Sequence, residues 1–335
     1  MQVFLFLYPY VVNVNTTMVP SGEFKSIPVT SITISEKWSL TPFLLSSPPP
    51  NKSHHVTSAT GLLHPPVVRK MDKKEASYEL LCGQERFKSF LNGFPDLSQV
   101  TVRVLPQDIP HQEILQYILD DKLVSGTFSV MEKAIFLQYC CNFLPSETVI
   151  QNFLSPLEEK PQPYILKKLL ALTALEPALQ QSIHLESLSP KLGHELLTLS
   201  SDDRLKLHDL FQYLELGGGK QKRLLTLCKD LAYRQNKKIQ SLLAEDDYVT
   251  ILEHTEMNAP QKGASILSLL YKQLFPESNA AEEDFRKRVL RMELPENCMV
   301  EHSPAFERDE ISLTVQFKDM NQLEEQAHRI KEFLS

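Results

Sequence analysis

Between Leu105 and Pro110 the hydrophobic period of the chain changes, and that change limits the folds open to it. Before it, apolar residues alternate with polar ones in short runs: FKSIPVTSITI over 24–34, YELLC over 78–82 and VTVRVLP over 100–106. Alternation with period two is the mark of a half-buried strand. After it, from Pro110 to about Ala244, apolar residues recur three and four apart, the mark of an amphipathic helix. The chain is therefore read as α+β, a small mixed sheet followed by an all-helical segment. At 335 residues and 42% hydrophobic it is long enough for two or three cored domains.

Local signals divide the two regimes further. LLSSPPPNKSHH (44–55) is a loop, since three prolines exclude a helix or strand interior. GLLHPPVVRK (61–70) reads as a turn, a Pro-Pro bend and a short strand, and KKEAS as a polar break. In the helical segment, Ser129 followed by Glu132 forms a capping-box pattern. Ser146 is the candidate cap of PSETVIQNFL, and Ser189-Pro190 is a favoured helix opening. The run 201–216 is a helix ended by Gly217-Gly218-Gly219, and 220–243 is the most basic helix of the chain. From Glu245 onward come helices around a proline break. Two strands joined by a polar turn follow (298–317), and then a closing amphipathic helix with Leu323, Ala327, Ile330 and Leu334 on one stripe. The domain boundaries read in this way are 1–20, an unassigned apolar tail; 21–108, the α/β domain; 109–244, the helical domain; and 245–335, a C-terminal module suited to oligomerisation.

Composition excludes some functions. A net charge of −7 argues against a generally basic nucleic-acid coat but leaves room for a local basic face. The cysteines Cys82, Cys140, Cys141, Cys228 and Cys298 show no metal-ligand spacing, which points to a reduced, cytoplasmic protein. The opening MQVFLFLYPYVV is too short to span a bilayer and lacks the basic start of a signal peptide; it reads as a strand or as sequence translated from an early start codon. No GxSxG, HExxH or P-loop occurs. His54 and His55 have no identifiable metal partners, and Cys140-Cys141 read as helix core.

Three stretches are suited to chemistry. At Tyr78–Phe94 a strand runs through Gly83 directly into a helix, with Gln84, Glu85 and Arg86 in its first turn. This is either an anion pocket, since helix-start N–H groups point at whatever sits there, or a tight turn in an ordinary α/β domain. Next, PSETVIQNFL, SPLEEKPQ and PYILKKLLALTAL give short helix, link and longer helix, the order of a helix-turn-helix. With 161–175 as recognition helix, Gln162, Tyr164, Lys167 and Lys168 face DNA; the alternative is an ordinary pair of packed helices. Last, between Leu214 and Lys238 seven basic residues (Lys220, Lys222, Arg223, Lys229, Arg234, Lys237, Lys238) stand against Glu215 and Asp230. That local excess suits phosphate contact by Lys220, Lys222 and Arg223, with the glycines allowing close backbone approach; the alternative is a solvated helix face.

Taken in order, IPVTSI (27–32), GLLHPPVVR (61–69), YELLCGQERFKSF (78–90), VTVRVLP (100–106) and SVMEKAIFLQ (129–138) resemble the ParB family of chromosome and plasmid partition proteins over roughly residues 24–240. The resemblance implies an N-terminal ParB/sulfiredoxin-like domain binding CTP with Mg2+, a helix-turn-helix domain reading an inverted repeat in double-stranded DNA, a C-terminal homodimer region, a ParA-type partner ATPase and a nucleoid location. The family's Gly-Glu-Arg-Arg phosphate box falls on Gly83, Gln84, Glu85 and Arg86, with Gly61 and His64 in a neighbouring loop. Its Glu-Asn-x-x-Arg box falls on DKLVS, 121–125. There Asp121 keeps the carboxylate, Lys122 replaces the metal-orienting amide and Ser125 replaces the arginine. A lysine holds no metal, so the expectation is weak CTP binding, altered nucleotide preference or no hydrolysis. Cys82 precedes the glycine, so sulfiredoxin chemistry is not carried over. Two rival readings are a nucleotide-dependent kinase or hydrolase using Glu85 or Asp121 as acid/base, and an interaction protein that keeps the architecture without binding CTP.

Overall fold

The computed structural model describes residues 22–44, 64–71, 77–303 and 310–334. The tail 1–20, the proline-rich loop beyond Leu44, Gly61 and the polar break at 72–76 lie outside the described residues. The chain is α+β and packs as two compact units, residues 1–200 and 201–335.

In the first unit, β1 (Glu23–Pro28), β2 (Ile32–Thr33), β3 (Val67–Lys70), β4 (Tyr78–Cys82) and β5 (Gln99–Leu105) form one mixed sheet of order β1-β5-β3-β4-β2. β3 runs parallel to β5, and β2 parallel to β4; the β1–β5 and β3–β4 pairs are antiparallel. The single strand expected over 24–34 is two strands on opposite edges of the sheet. Pro28 ends β1, a 3₁₀ turn at Val29–Ser31 follows, and β2 begins beside β4. Proline has no N–H with which to extend the ladder.

Helix α1 (Gln84–Gly93) lays Phe87 and Phe90 on one sheet face, against Ile27, Val68, Tyr78, Leu80, Val100 and Val102. A fully buried phenylalanine contributes about 1.5–3 kcal/mol. Helix α2 (His111–Ser125) packs on β4 and buries Ile114, Leu115, Ile118 and Leu119. All five residues of β4 are therefore buried, where the alternation in its sequence predicts one wet face. α2 also packs on α3 (Val130–Phe143), which joins the sheet to the following helices. The packing boundary accordingly falls at Ser200, between the sequence-read boundaries at 108 and 244.

The Ser129/Glu132 capping box is present at α3, with both of its hydrogen bonds formed. In α4 (Ser146–Phe153), Ser146 is not the cap. Pro145 occupies the cap position with no side-chain hydrogen bond, and Ser146 is the first helical residue. α5 (Pro163–Ala171), α6 (Pro177–His184) and α7 (Pro190–Leu196) complete the unit, and Ser189 caps α7 by accepting the Leu192 N–H at 3.2 Å.

The second unit holds α8 (Ser201–Tyr213), α9 (Gly218–Gln235), α10 (Ile239–Leu242), α11 (Asp246–Glu253), α12 (Ala259–Leu274) and α13 (Pro276–Arg291). The antiparallel hairpin β6 (Cys298–His302) and β7 (Ile311–Val315) and then α14 (Met320–Leu334) follow. Two expectations are corrected here. The triple glycine does not end a helix: α8 stops at Tyr213, Gly217 sits at the cap of α9, and Gly218 and Gly219 lie inside α9. Nothing in the chain lies within 4 Å of a Cβ placed on any of the three. The basic run 220–243 is two helices, because Asn236 takes a left-handed φ of 52° and terminates α9.

Candidate functional site

β4 delivers the chain to Gly83, which has φ 79° and ψ 24°. That left-handed conformation suits glycine, and a Cβ there would meet a guanidinium nitrogen of Arg86 at 3.0 Å. Arg86 thus folds back over the turn it follows. It donates to Asp121 Oδ1 at 2.5 Å, while its Nε is buried with no hydrogen-bond partner among the described residues. Gln84 Nε2 donates to the Ser35 carbonyl at 2.8 Å. No side chain caps α1, and its first internal bond runs from the Phe87 N–H to the Gly83 carbonyl at 2.8 Å. A helix start without a side-chain cap, next to a guanidinium, is suited to an anion. Here a carboxylate already holds that guanidinium, so an incoming anion competes with Asp121.

The structure brings Gly83, Gln84, Arg86 and Asp121 together. Glu85 lies in the first turn of α1, and Gly61 is outside the described residues. His64 is exposed, in the bend leading into β3; Val67 at the start of that strand pairs with Cys82, which places the bend at the same end of the sheet as the turn. Cys82 is 3% exposed, and burial, followed by the Asp121 charge, pushes its thiol well above the ordinary range. A protonated, buried thiol is no nucleophile.

Sequence reasoning missed the support behind the turn. Glu79, which the β4 alternation assigns to solvent, accepts from Trp38 Nε1 at 3.0 Å and pairs with Arg69. Trp38 stacks on Phe143, which stacks in turn on His111 at 4.1 Å between ring centroids. This knot fastens the segment carrying Ser35 to the central sheet. A glutamate in a strand otherwise built of apolar and aromatic residues, YELLC, was the available signal.

Lys122 Nζ donates to Glu132 Oε1 at 2.5 Å. With Asp121 held by Arg86 and Lys122 holding Glu132, the second box carries ion pairs where a metal site needs free oxygen donors. Among the described residues no group of three or more His, Cys, Asp or Glu side chains converges. These residues do not fit a resident Mg2+.

On α5, Leu166 and Leu169 are buried, whereas Gln162, Tyr164, Lys167 and Lys168 are exposed. The helix packs on α3 and α4, and Lys133 pairs with Glu159 in the link before it at 2.8 Å. In the second unit, Lys220, Lys222 and Arg223 are exposed on α9. Further along, Arg234 donates to the Leu274 carbonyl at 2.6 Å and Lys237 pairs with Glu245 at 2.6 Å, so these two already have partners within the unit.

No protein-family model and no curated protein matches the sequence. Among solved structures, the chain is similar to the C-terminally truncated chromosome-partitioning protein ParB from Caulobacter crescentus complexed to the centromeric parS site. That match has 13% identity and a TM-score of 0.30, and covers 60% of this chain and 98% of that one. The same protein complexed with CTP-gamma-S matches at 12% identity and a TM-score of 0.20, covering 56% and 98%. Superposition at these scores is too loose to transfer a residue role or a ligand. Among the described residues no helix is long and apolar enough to cross a membrane.

Proposed function

We propose that this chain is a DNA-binding protein of the partition type. In this reading α5 reads the major groove, α9 supplies further phosphate contacts, and the Gly83 turn receives the phosphates of a nucleotide of the CTP class. The observation that carries the reading is the division of α5. Leu166 and Leu169 are buried against the bundle, whereas a phenol and two ammonium groups on the helix, and the Gln162 amide at its cap position, are exposed, the donors that base edges and phosphates take. The order of motifs along the sequence supports the same reading. The kinase or hydrolase alternative finds less support, since Arg86 already neutralises Asp121, one of its two candidate acid/base residues beside Glu85.

The test is capture of sheared genomic DNA from the source organism, followed by sequencing of what is retained. Enrichment of one inverted repeat supports the reading; retention in proportion to abundance removes it. Replacing Lys167 and Lys168 with alanine should lower the slope of log K against log salt by about two, near 0.9 per phosphate contact. An unchanged slope takes α5 out of the interface.

A homodimer through the C-terminal module belongs to the same proposal. Ile311 and Leu313 share one hairpin face with Val300 and Val315, yet are 63% and 46% exposed, and α13 has no buried residue. Elements that bury so little within their own chain are suited to a second copy. Ile311→Asp with Leu313→Asp should convert a dimer to a monomer in light scattering. A wild-type monomer at micromolar concentration would remove this part. The partner ATPase of the ParA type is proposed on the sequence resemblance alone.

A further inference from the structure

His194 stands on α7, next to the point where that helix closes on the end of α5. The closure is made at Gly193. A Cβ built there would meet Ile183 Cδ1 at 2.8 Å, Leu175 Cδ1 at 3.3 Å and Leu172 Cδ2 at 3.4 Å, so only glycine leaves room for the approach. Leu172 opens the 3₁₀ turn that continues α5, and Lys168 lies four residues earlier, one turn back along the same face. The contact that seats Gly193 therefore brings the His194 ring within range of the Lys168 charge. Lys168 is exposed, so one ammonium is within range of both the ring and anything that docks on α5.

His194 Nε2 is buried and has no hydrogen-bond partner among the described residues. A ring nitrogen shut off from water, beside a positive charge and without an acceptor, is a poor place for a second proton. Burial, then Lys168, accordingly holds the ring below the ordinary histidine range. The side chains that close over Gly193 are apolar. α6 ends in His184, whose Nδ1 lies 2.8 Å from Ser129 Oγ, and on α7 itself the charged neighbours of the ring are Lys191 and Glu195. We propose that His194 couples DNA binding by α5 to proton uptake: a backbone phosphate settling on Lys168 neutralises the ammonium beside the ring, and the ring then takes a proton from solvent. The bound state holds more protons than the free one, so by linkage DNA binds more tightly as pH falls. The gain begins near the ordinary histidine value of about 6.5 and saturates once the free chain is itself protonated. His194 is thus a positioning residue, acting through Lys168 and not by contact with DNA. Its seating rests on the contacts above; the coupling rests on the reading of α5 as the DNA-facing helix.

The test is the affinity of the full chain for a fluorescein-labelled, mixed-sequence DNA duplex, read by anisotropy at one low salt concentration from about pH 8 to about pH 5.5. Across that range the wild-type affinity should gain about two- to fivefold more than that of His194→Gln, the range of one partly exposed charge pair. Lys168→Ala should bind less tightly and lose the same extra gain. In the wild type the His194 ring resonance should titrate at higher pH with the duplex bound than without it, a readout that depends on no variant's folding. Equal pH profiles in wild type and His194→Gln, or a ring titration that does not move on a bound duplex, overturn the coupling. The full gain retained in Lys168→Ala overturns the route through Lys168. Absence of duplex binding at every pH removes the reading of α5, and the coupling with it, which separates the two failures.

Discussion

At the Gly83 turn the side chains of Gln84 and Arg86 already have partners within the chain. Gln84 is bonded to the Ser35 carbonyl, Arg86 to Asp121, and behind them Trp38 and Arg69 both meet Glu79. On the outer face of α5, no hydrogen bond or ion pair engages Lys167 or Lys168 among the described residues, and both stand in solvent beside Tyr164. The first region is held in shape before any ligand arrives and must exchange one partner for another. The second is a bare surface on a rigid helix. Internal partners contribute stability and positional definition at the expense of affinity, because a ligand has to displace them; a bare charged face costs the fold nothing and gives salt-dependent binding.

The comparison can be broken at either end. Glu79→Ala should have the largest effect on the fold, a loss of about 3–5 kcal/mol in denaturant unfolding, because it strands a mostly buried arginine and the Trp38 N–H. A loss below about 1 kcal/mol would mean that the knot behind the turn is not what holds it. Gly83→Ala should follow, at about 1–2 kcal/mol, from the left-handed backbone and the crowding of Arg86. By contrast the Lys167/Lys168 double alanine variant, proposed above to weaken DNA binding, should unfold within about 0.5 kcal/mol of wild type. A large destabilisation would make α5 a structural helix after all.

The smallest effect is a titration. Burial, then the neighbouring Lys168 charge, lowers the pKa of His194 on α7 below its ordinary value. A histidine whose folded pKa is lowered binds more protons when unfolded. Its contribution to stability is therefore complete above the unfolded value of about 6.5 and is lost as pH falls from there through the lowered folded value. Lys168→Ala should raise the His194 pKa, read from its ring resonances by NMR. No movement would place Lys168 out of range of that ring.

Much of this was legible in sequence where the signal is local. The Ser129/Glu132 box, the Ser189-Pro190 opening, the strand at 78–82 and the C-terminal hairpin all formed as read, because each depends on residues within one turn or one strand. Errors arose where a local preference met a longer-range constraint. Ser146 is a good capping residue, yet it is the first residue of the helix and Pro145 takes the cap position. Three glycines suggested a stop, but Glu215 takes the left-handed turn at φ 50° and the glycines open the next helix. Glu79 follows the polar half of an alternation, yet it is buried because α2 covers the face that the alternation assigns to water.

By itself, the sequence determined the two hydrophobic periods, and hence an α+β chain, together with the glycine that lets a strand run straight into a helix. Those follow from side-chain spacing and from φ preference, which each segment carries alone. Tertiary structure decided which charges meet: Arg86 with Asp121 across 35 positions, Lys122 with Glu132, and Trp38 with Glu79 across 41. Pairing of that kind depends on how α1, α2 and α3 pack around the sheet, and no local period encodes it.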